Sequence, residues 1–344
     1  MFFGSGNVIF PPFLGMQTAP NWFIAIFAYL AVDIIIAVFS IVVMAKNDEG
    51  LTGITQRIGK VPSRIVGIAI ILCIGPLICI PRAAAVSFDL LMVPLFDLPN
   101  NGWEQIVFSF IFFFVTWCLV VRPSKIVDIV GNILTPLLLV TLAMLIIKGL
   151  FTPDAPMPEN PIEPNAVGVG IIAGYQSMDL FGALSFGTIM ITTSFIKGYK
   201  TPNHRVFVLS WAGILSLVLL FATSIGMAYL GSQVATEFSD VTSQAVLVSR
   251  IASKAFSFGG ILLGVLASLA CLTTAVGLTS GTSVYFKNFV DKRDKRGKAY
   301  EILCTVVCCV SFVISNLGLE LIVEWASPVL TLVFPMAVVL VILS

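Results

Sequence analysis

The apolar residues of this chain come in long blocks divided by short polar stretches. Each block is close to the roughly 20 residues an α-helix needs to cross a bilayer. After an opening piece that ends near Gly15, the blocks cover residues 22–45, 64–92, 106–121, 126–150, 167–196, 206–230, 256–286, 299–317 and 319–343. The pattern predicts ten membrane segments, several long enough to tilt or break internally. Residues 152–165, rich in Pro and acidic side chains, read as a solvent loop, and residues 232–249 as a connection with room for a short interfacial helix.

Composition agrees. Hydrophobic residues make up 58% of the 344 and charged residues 11%, against about 25% charged in soluble domains, and mean hydropathy is +1.03. The expectation is an all-α polytopic membrane protein of a cell membrane, with lipid as its surroundings. A net charge of +1 without a basic stripe argues against a nucleic-acid partner. The seven cysteines, Cys304, Cys308 and Cys309 among them, lack His or acidic neighbours at ligand spacing, so they read as small core or lipid-facing residues. No hydrolase triad, HExxH motif or phosphate loop accompanies the spans, and His204 beside Arg205 reads as solvated; an enzyme is not expected.

Charge sets the orientation. Lys46, Arg57, Lys60, Arg64, Arg122, Lys125, Lys197, Lys200, Arg205, Lys287, Lys292, Arg293, Lys295, Arg296 and Lys298, 15 of the 19 Lys and Arg, fall on one side of ten alternating segments. The positive-inside rule makes that side cytoplasmic. The other side receives Lys148, Arg250 and Lys254, and Arg82 lies within a span.

Several spans carry breaks. In lipid every backbone polar group must be satisfied, so an interruption survives only where it is buried in protein or lines a cavity. Gly4-Ser5-Gly6-Asn7 interrupts the first segment: its amides are suited to a carboxylate, or its glycines to a close helix crossing. Gly174-Tyr175-Gln176-Ser177-Met178-Asp179-Leu180-Phe181-Gly182-Ala183 interrupts the sixth. Asp179 suits an amine, cation or proton, or capping of the following half-helix; Tyr175 suits a pocket wall or an interfacial anchor. In the eighth, Thr273 and Thr274 with the Ala270 carbonyl form an oxygen set for a small cation, or else bond their own preceding carbonyl. In the third, Pro76 and Pro81 should kink the helix. Arg82 reads as anchor or gate, facing another segment or a water-filled vestibule rather than Asp89. The breaks in segments one and six hold matching places in an apparent 5+5 arrangement, and an odd number of spans per repeat inverts the copies.

The pieces Phe3-Gly4-Ser5-Gly6-Asn7-Val8-Ile9-Phe10-Pro11-Pro12, Gly75-Pro76…Pro81-Arg82, Gly174-Tyr175…Met178-Asp179, Cys271…Thr274-Ala275-Val276-Gly277-Leu278-Thr279 and Ser315-Asn316-Leu317-Gly318 occur in one order. Together they resemble the branched-chain amino acid:cation symporters (LIVCS), a family of the amino acid–polyamine–organocation superfamily, from Met1 to Ser344. The resemblance implies a leucine-transporter-like fold of two inverted five-helix repeats, about 1–150 and 167–344, in one transmembrane domain with helices 1 and 6 broken. It implies sodium-coupled import of leucine, isoleucine and valine, with sodium as coupling ion and no organic cofactor. The substrate carboxylate would meet the amides around Gly4, Ser5, Gly6 and Asn7. Its ammonium would meet carbonyls near Phe2, Phe3 and Gly174, Tyr175, Gln176 and Ser177. Phe3, Ala270, Thr273 and Thr274 match a sodium site between segments one and eight, and Asn7 matches a second-sodium position. Arg82 and Asp179 remain gating or structural candidates.

Family members usually begin earlier and continue through two more spans, so the chain reads as incomplete at both ends. Two other accounts stay open: a carrier coupled to protons or moving another apolar amino acid, and an inactive fragment or nontransporting interaction subunit.

Overall fold

A computed structural model describes residues 4–47, 50–56, 59–96, 102–121, 125–151, 157–196, 198, 201–256, 258–290 and 298–344. Phe2 and Phe3, and most of the basic run after Val290, lie outside the described residues. All regular structure among the described residues is helical.

The helices are α1 Ser5–Thr18, α2 Trp22–Leu30, α3 Ile36–Asn47, α4 Gly50–Gln56, α5 Lys60–Leu72, α6 Cys79–Phe96, α7 Trp103–Val121, α8 Lys125–Leu150, α9 Ala166–Ser177, α10 Asp179–Ile196, α11 Pro202–Gln233, α12 Gln244–Ala255, α13 Gly259–Val290, α14 Ala299–Ser315 and α15 Leu319–Ile342. A π-helical turn, Ala31–Ile35, joins α2 to α3, and a second, Cys73–Leu77, joins α5 to α6. Among the described residues, seven helical stretches are long and apolar enough to cross a membrane: Trp22–Lys46, Val61–Val93, Trp103–Val121, Ala166–Gly187, Asn203–Gln233, Gly259–Lys287 and Leu319–Ile342. Thr135–Leu150 and Ala299–Ser315 are shorter apolar helices. The outer faces stay apolar, with Phe110, Phe114, Trp211, Leu215 and Trp325 exposed. A water-facing surface rarely carries such a continuous apolar coat; these are lipid-facing side chains of a multi-pass membrane protein.

Around the centre, α1 packs along α11, α2 along α9, α3 along α10 and α6 along α13. The α1–α11 contact is backbone to backbone. A Cβ on Gly15 would sit 1.9 Å from the Ala228 carbonyl oxygen, and one on Gly231 would sit 1.9 Å from that of Pro12. Without a strong hydrophobic drive between helices in lipid, such small-residue contacts hold spans together through dispersion. Pro11 and Pro12 lie within α1. Lacking N–H groups, they leave the carbonyls of Asn7 and Val8 without their usual helical donors.

The third span is kinked in the stretch that holds its two prolines. Gly75 leaves helical geometry (φ −90°, ψ −121°) beside Pro76. Ile78 is also non-helical (φ −128°, ψ −62°), so Pro81 falls in the first turn of α6, just after the break. The connection after α11 does carry a helix, α12, set against α13 and α1.

Candidate functional site

Two helix ends meet inside the bundle. α1 starts behind Gly4, whose backbone is extended (φ −101°, ψ −178°). Glycine has no side chain with which to cap the first-turn amides. Ser5 is the first helical residue, its side chain outside the described set. Across from it, α9 ends at Ser177, Met178 turns left-handed (φ 65°, ψ 21°), and α10 begins at Asp179. The break is therefore narrower than the sequence pattern of 174–183 suggests. Gly174, Tyr175, Gln176 and Ser177 remain helical and supply the last carbonyls of α9. Gly6 sets the approach: a Cβ there would stand 3.2 Å from both the Cα and the carbonyl oxygen of Ser177.

The positive end of one helix dipole and the negative end of another thus face one space, the electrostatic complement of a zwitterion. That space is small. A cavity of about 30 Å³ is lined by Gly4, Gly6, Arg82, Ser177, Asp179 and Thr274, with Ile74, Phe186 and Leu278 among its apolar walls. Ligand pockets usually measure ~300–1,000 Å³, so the cavity is contracted around its own side chains. A separate vestibule of about 360 Å³ opens toward Glu163 and is lined by Phe10, Gln17, Gln176 and Gln244 among others.

Arg82 lines the small cavity and contacts Phe10 and Gln176, which line the larger one. It is buried, and its guanidinium donates to the carbonyls of Gln176 and Ser177, the latter at 3.1 Å. Its Cζ lies 5.4 Å from the centroid of the Phe10 ring, in the range of a cation–π contact. Its partners are in segment six. Asp89 instead accepts from the Ser243 hydroxyl at 3.4 Å.

Asn7 and Asp179 are brought together: Asn7 Nδ2 donates to Asp179 Oδ2 at 2.8 Å, and Asn7 Oδ1 accepts from the Tyr29 hydroxyl at 3.4 Å. At the first position of α10, the Asp179 carboxylate also faces the favourable end of that helix. Tyr175 packs on Phe334 of α15, ring centroids 4.6 Å apart. Sequence reasoning missed Asp33. It is fully buried in the π-helical turn after α2 and accepts a hydrogen bond from the Ser177 hydroxyl; the rule that flagged Asp179, an ionisable residue within an apolar block, also applies to it.

The eighth-segment set has a definite geometry. Thr273 and Thr274 each donate to the Ala270 carbonyl at 2.9 Å, the back-bonding arrangement of helical threonines. Their hydroxyl protons are engaged within α13, while each oxygen retains lone pairs. Thr274 reaches the cavity and Thr273 does not line it. Phe3, the expected fourth member, lies outside the described residues.

Comparison with known proteins bears on the family and the fold. The chain is 34% identical over 358 residues to a protein of Staphylococcus haemolyticus (strain JCSC1435) named as a branched-chain amino acid carrier, covering 100% of this chain and 79% of the relative. A Staphylococcus aureus protein (strain bovine RF122 / ET3-1) with the same description is 33% identical over 360 residues, with the same coverage. The fold matches the crystal structure of MhsT in complex with L-phenylalanine, with a TM-score of 0.63 at 18% identity, over 98% of this chain and 85% of that one. The profile of the branched-chain amino acid transport proteins matches residues 1–344. An all-helical, lipid-faced bundle with two helix ends turned on a central cavity thus belongs to the branched-chain amino acid transport protein family, and its work is transport rather than catalysis.

Proposed function

We propose that the chain is a secondary active carrier that imports leucine, isoleucine and valine together with sodium, by alternating access. The observation that carries this reading is the meeting of the α1 start and the α9 end on one cavity. Gly4, Ser5, Gly6 and Asn7 offer amides to a carboxylate, and Gly174 through Ser177 offer carbonyls to an ammonium. Apolar walls such as Ile74, Phe186 and Leu278 receive the branched side chain. A one-methylene difference in such a wall is worth about 1–3 kcal/mol, so all three substrates are accepted. Sodium is cargo here: the Ala270 carbonyl and the Thr273 and Thr274 hydroxyl oxygens, with Phe3, form its site.

Ten segments arranged as two inverted repeats, about 1–150 and 167–344, supply the moving parts. The packing supports this. If segment n of the first repeat corresponds to segment n + 5, the close pair formed by segments one and seven (α1, α11) corresponds to that of six and two (α9, α2). The pairs α6–α13 and α7–α14 then map onto themselves. The α9–α2 contact repeats the backbone approach as well, since a Cβ on Gly170 would stand 2.3 Å from the Ala25 carbonyl oxygen.

Equilibrium binding of tritiated leucine to the purified chain tests the reading. Binding that requires sodium and is competed by isoleucine and valine is expected; binding indifferent to sodium refutes the coupling. The buried Asp33 and the half-buried Asp179 beside it in the bundle favour a second reading, proton coupling, which predicts that a pH gradient alone drives uptake.

A further inference from the structure

The α9 carbonyls that should hold a substrate ammonium already hold a cation. Arg82 donates to two of them, Gln176 and Ser177, from a position buried in the bundle. The same side chain lines the small inner cavity, while Phe10, against which it stacks, and Gln176, to which it bonds, both line the vestibule. Arg82 therefore sits where vestibule and cavity adjoin. No carboxylate pairs with it in a salt bridge among the described residues. A helix C-terminus presents partial negative charge and free acceptors, and a guanidinium satisfies them as a primary ammonium would.

We propose that Arg82 is a built-in occupant of the ammonium subsite, and that a zwitterionic amino acid enters by exchanging its ammonium for the guanidinium. This rests on the transport reading above. Until the exchange, the cavity stays at about 30 Å³, too small for a branched side chain, so displacement of Arg82 and opening of the site are one event. A competent state populated in only a fraction of molecules lowers apparent affinity by that fraction. Removing the competing guanidinium therefore tightens binding of any ligand that brings its own ammonium.

The test uses the full chain in detergent with sodium present. The ligands are leucine, 3-methylbutylamine (leucine without its carboxylate) and 4-methylpentanoate (leucine without its ammonium). Arg82→Gln removes the charge. Arg82→Lys keeps a buried cation but offers fewer, shorter-reaching donors. Arg82→Gln should tighten 3-methylbutylamine about tenfold or more without tightening 4-methylpentanoate, and Arg82→Lys should tighten the amine by a smaller factor. If Arg82→Gln fails to fold, Arg82→Lys decides alone, since an unchanged or weaker amine affinity overturns the proposal. Loss of leucine and 4-methylpentanoate affinity with the amine unaffected would make Arg82 the carboxylate partner instead, which also overturns it. A native chain that binds leucine while neither variant shifts amine binding defeats this inference alone; a native chain that binds neither leucine nor the amine defeats the transport reading with it.

Discussion

Ser177 spans two roles within one residue: its carbonyl accepts from Arg82 and its hydroxyl donates to Asp33. The last turn of α9 is thus pinned from segments two and three, immediately before the left-handed Met178. A hydrogen bond to a charged group contributes about 1.5–3 kcal/mol. Asp33→Asn keeps the shape and one acceptor but removes the charge, so leucine KM should rise about tenfold in uptake measurements, and an unchanged KM would remove Asp33 from the site. Met178 tests the break itself. A left-handed β-branched residue is strongly disfavoured, so Met178→Ile should lower stability by ~1–2 kcal/mol, while Met178→Leu, similar in volume but unbranched at Cβ, should cost less; thermal melts compare them. Asp179 is legible in the sequence because glycines and polar residues surround it. Asp33 sits between Val32 and Ile34 in an unbroken apolar run, and its tie to Ser177 spans 144 positions, a pairing that no local pattern carries. Arg82 shows the same limit: a buried cation in a span announces that it has a partner, but its acceptors are backbone carbonyls, which have no residue type to read.

Helix boundaries follow local chemistry more faithfully. Apolar block length, the polar loops and the Gly75-Pro76 pair locate most helices, because each signal acts within a few residues of its effect. Proline breaks a helix interior but is accommodated in a first turn, so Pro81 marks the start of a helix without saying at which residue it begins. The close crossing of α1 with α11 depends on Gly15 and Gly231, far apart in sequence. Either Gly→Ala change drives a methyl group into backbone, where no side chain can give way. Each should lower stability by about 1–3 kcal/mol in detergent melts. Gly4→Ala, where a Cβ meets nothing within 4 Å, should leave the melting temperature unchanged. Equal losses at all three positions would contradict the close-contact account.

The whole molecule is a lipid-faced bundle around a cavity closed over its own Arg82, with helix ends of opposite polarity on either side. Class and family were readable because hydropathy and motif order extend along the entire chain. The contracted size of the cavity was not readable, since it depends on how segments one, three and six pack together. The most direct measurement is uptake of radiolabelled leucine into proteoliposomes containing this chain, with and without an inward sodium gradient. Concentrative uptake that needs the gradient and is competed by isoleucine and valine is the predicted result. Folded protein that accumulates no leucine under the sodium gradient would contradict the account.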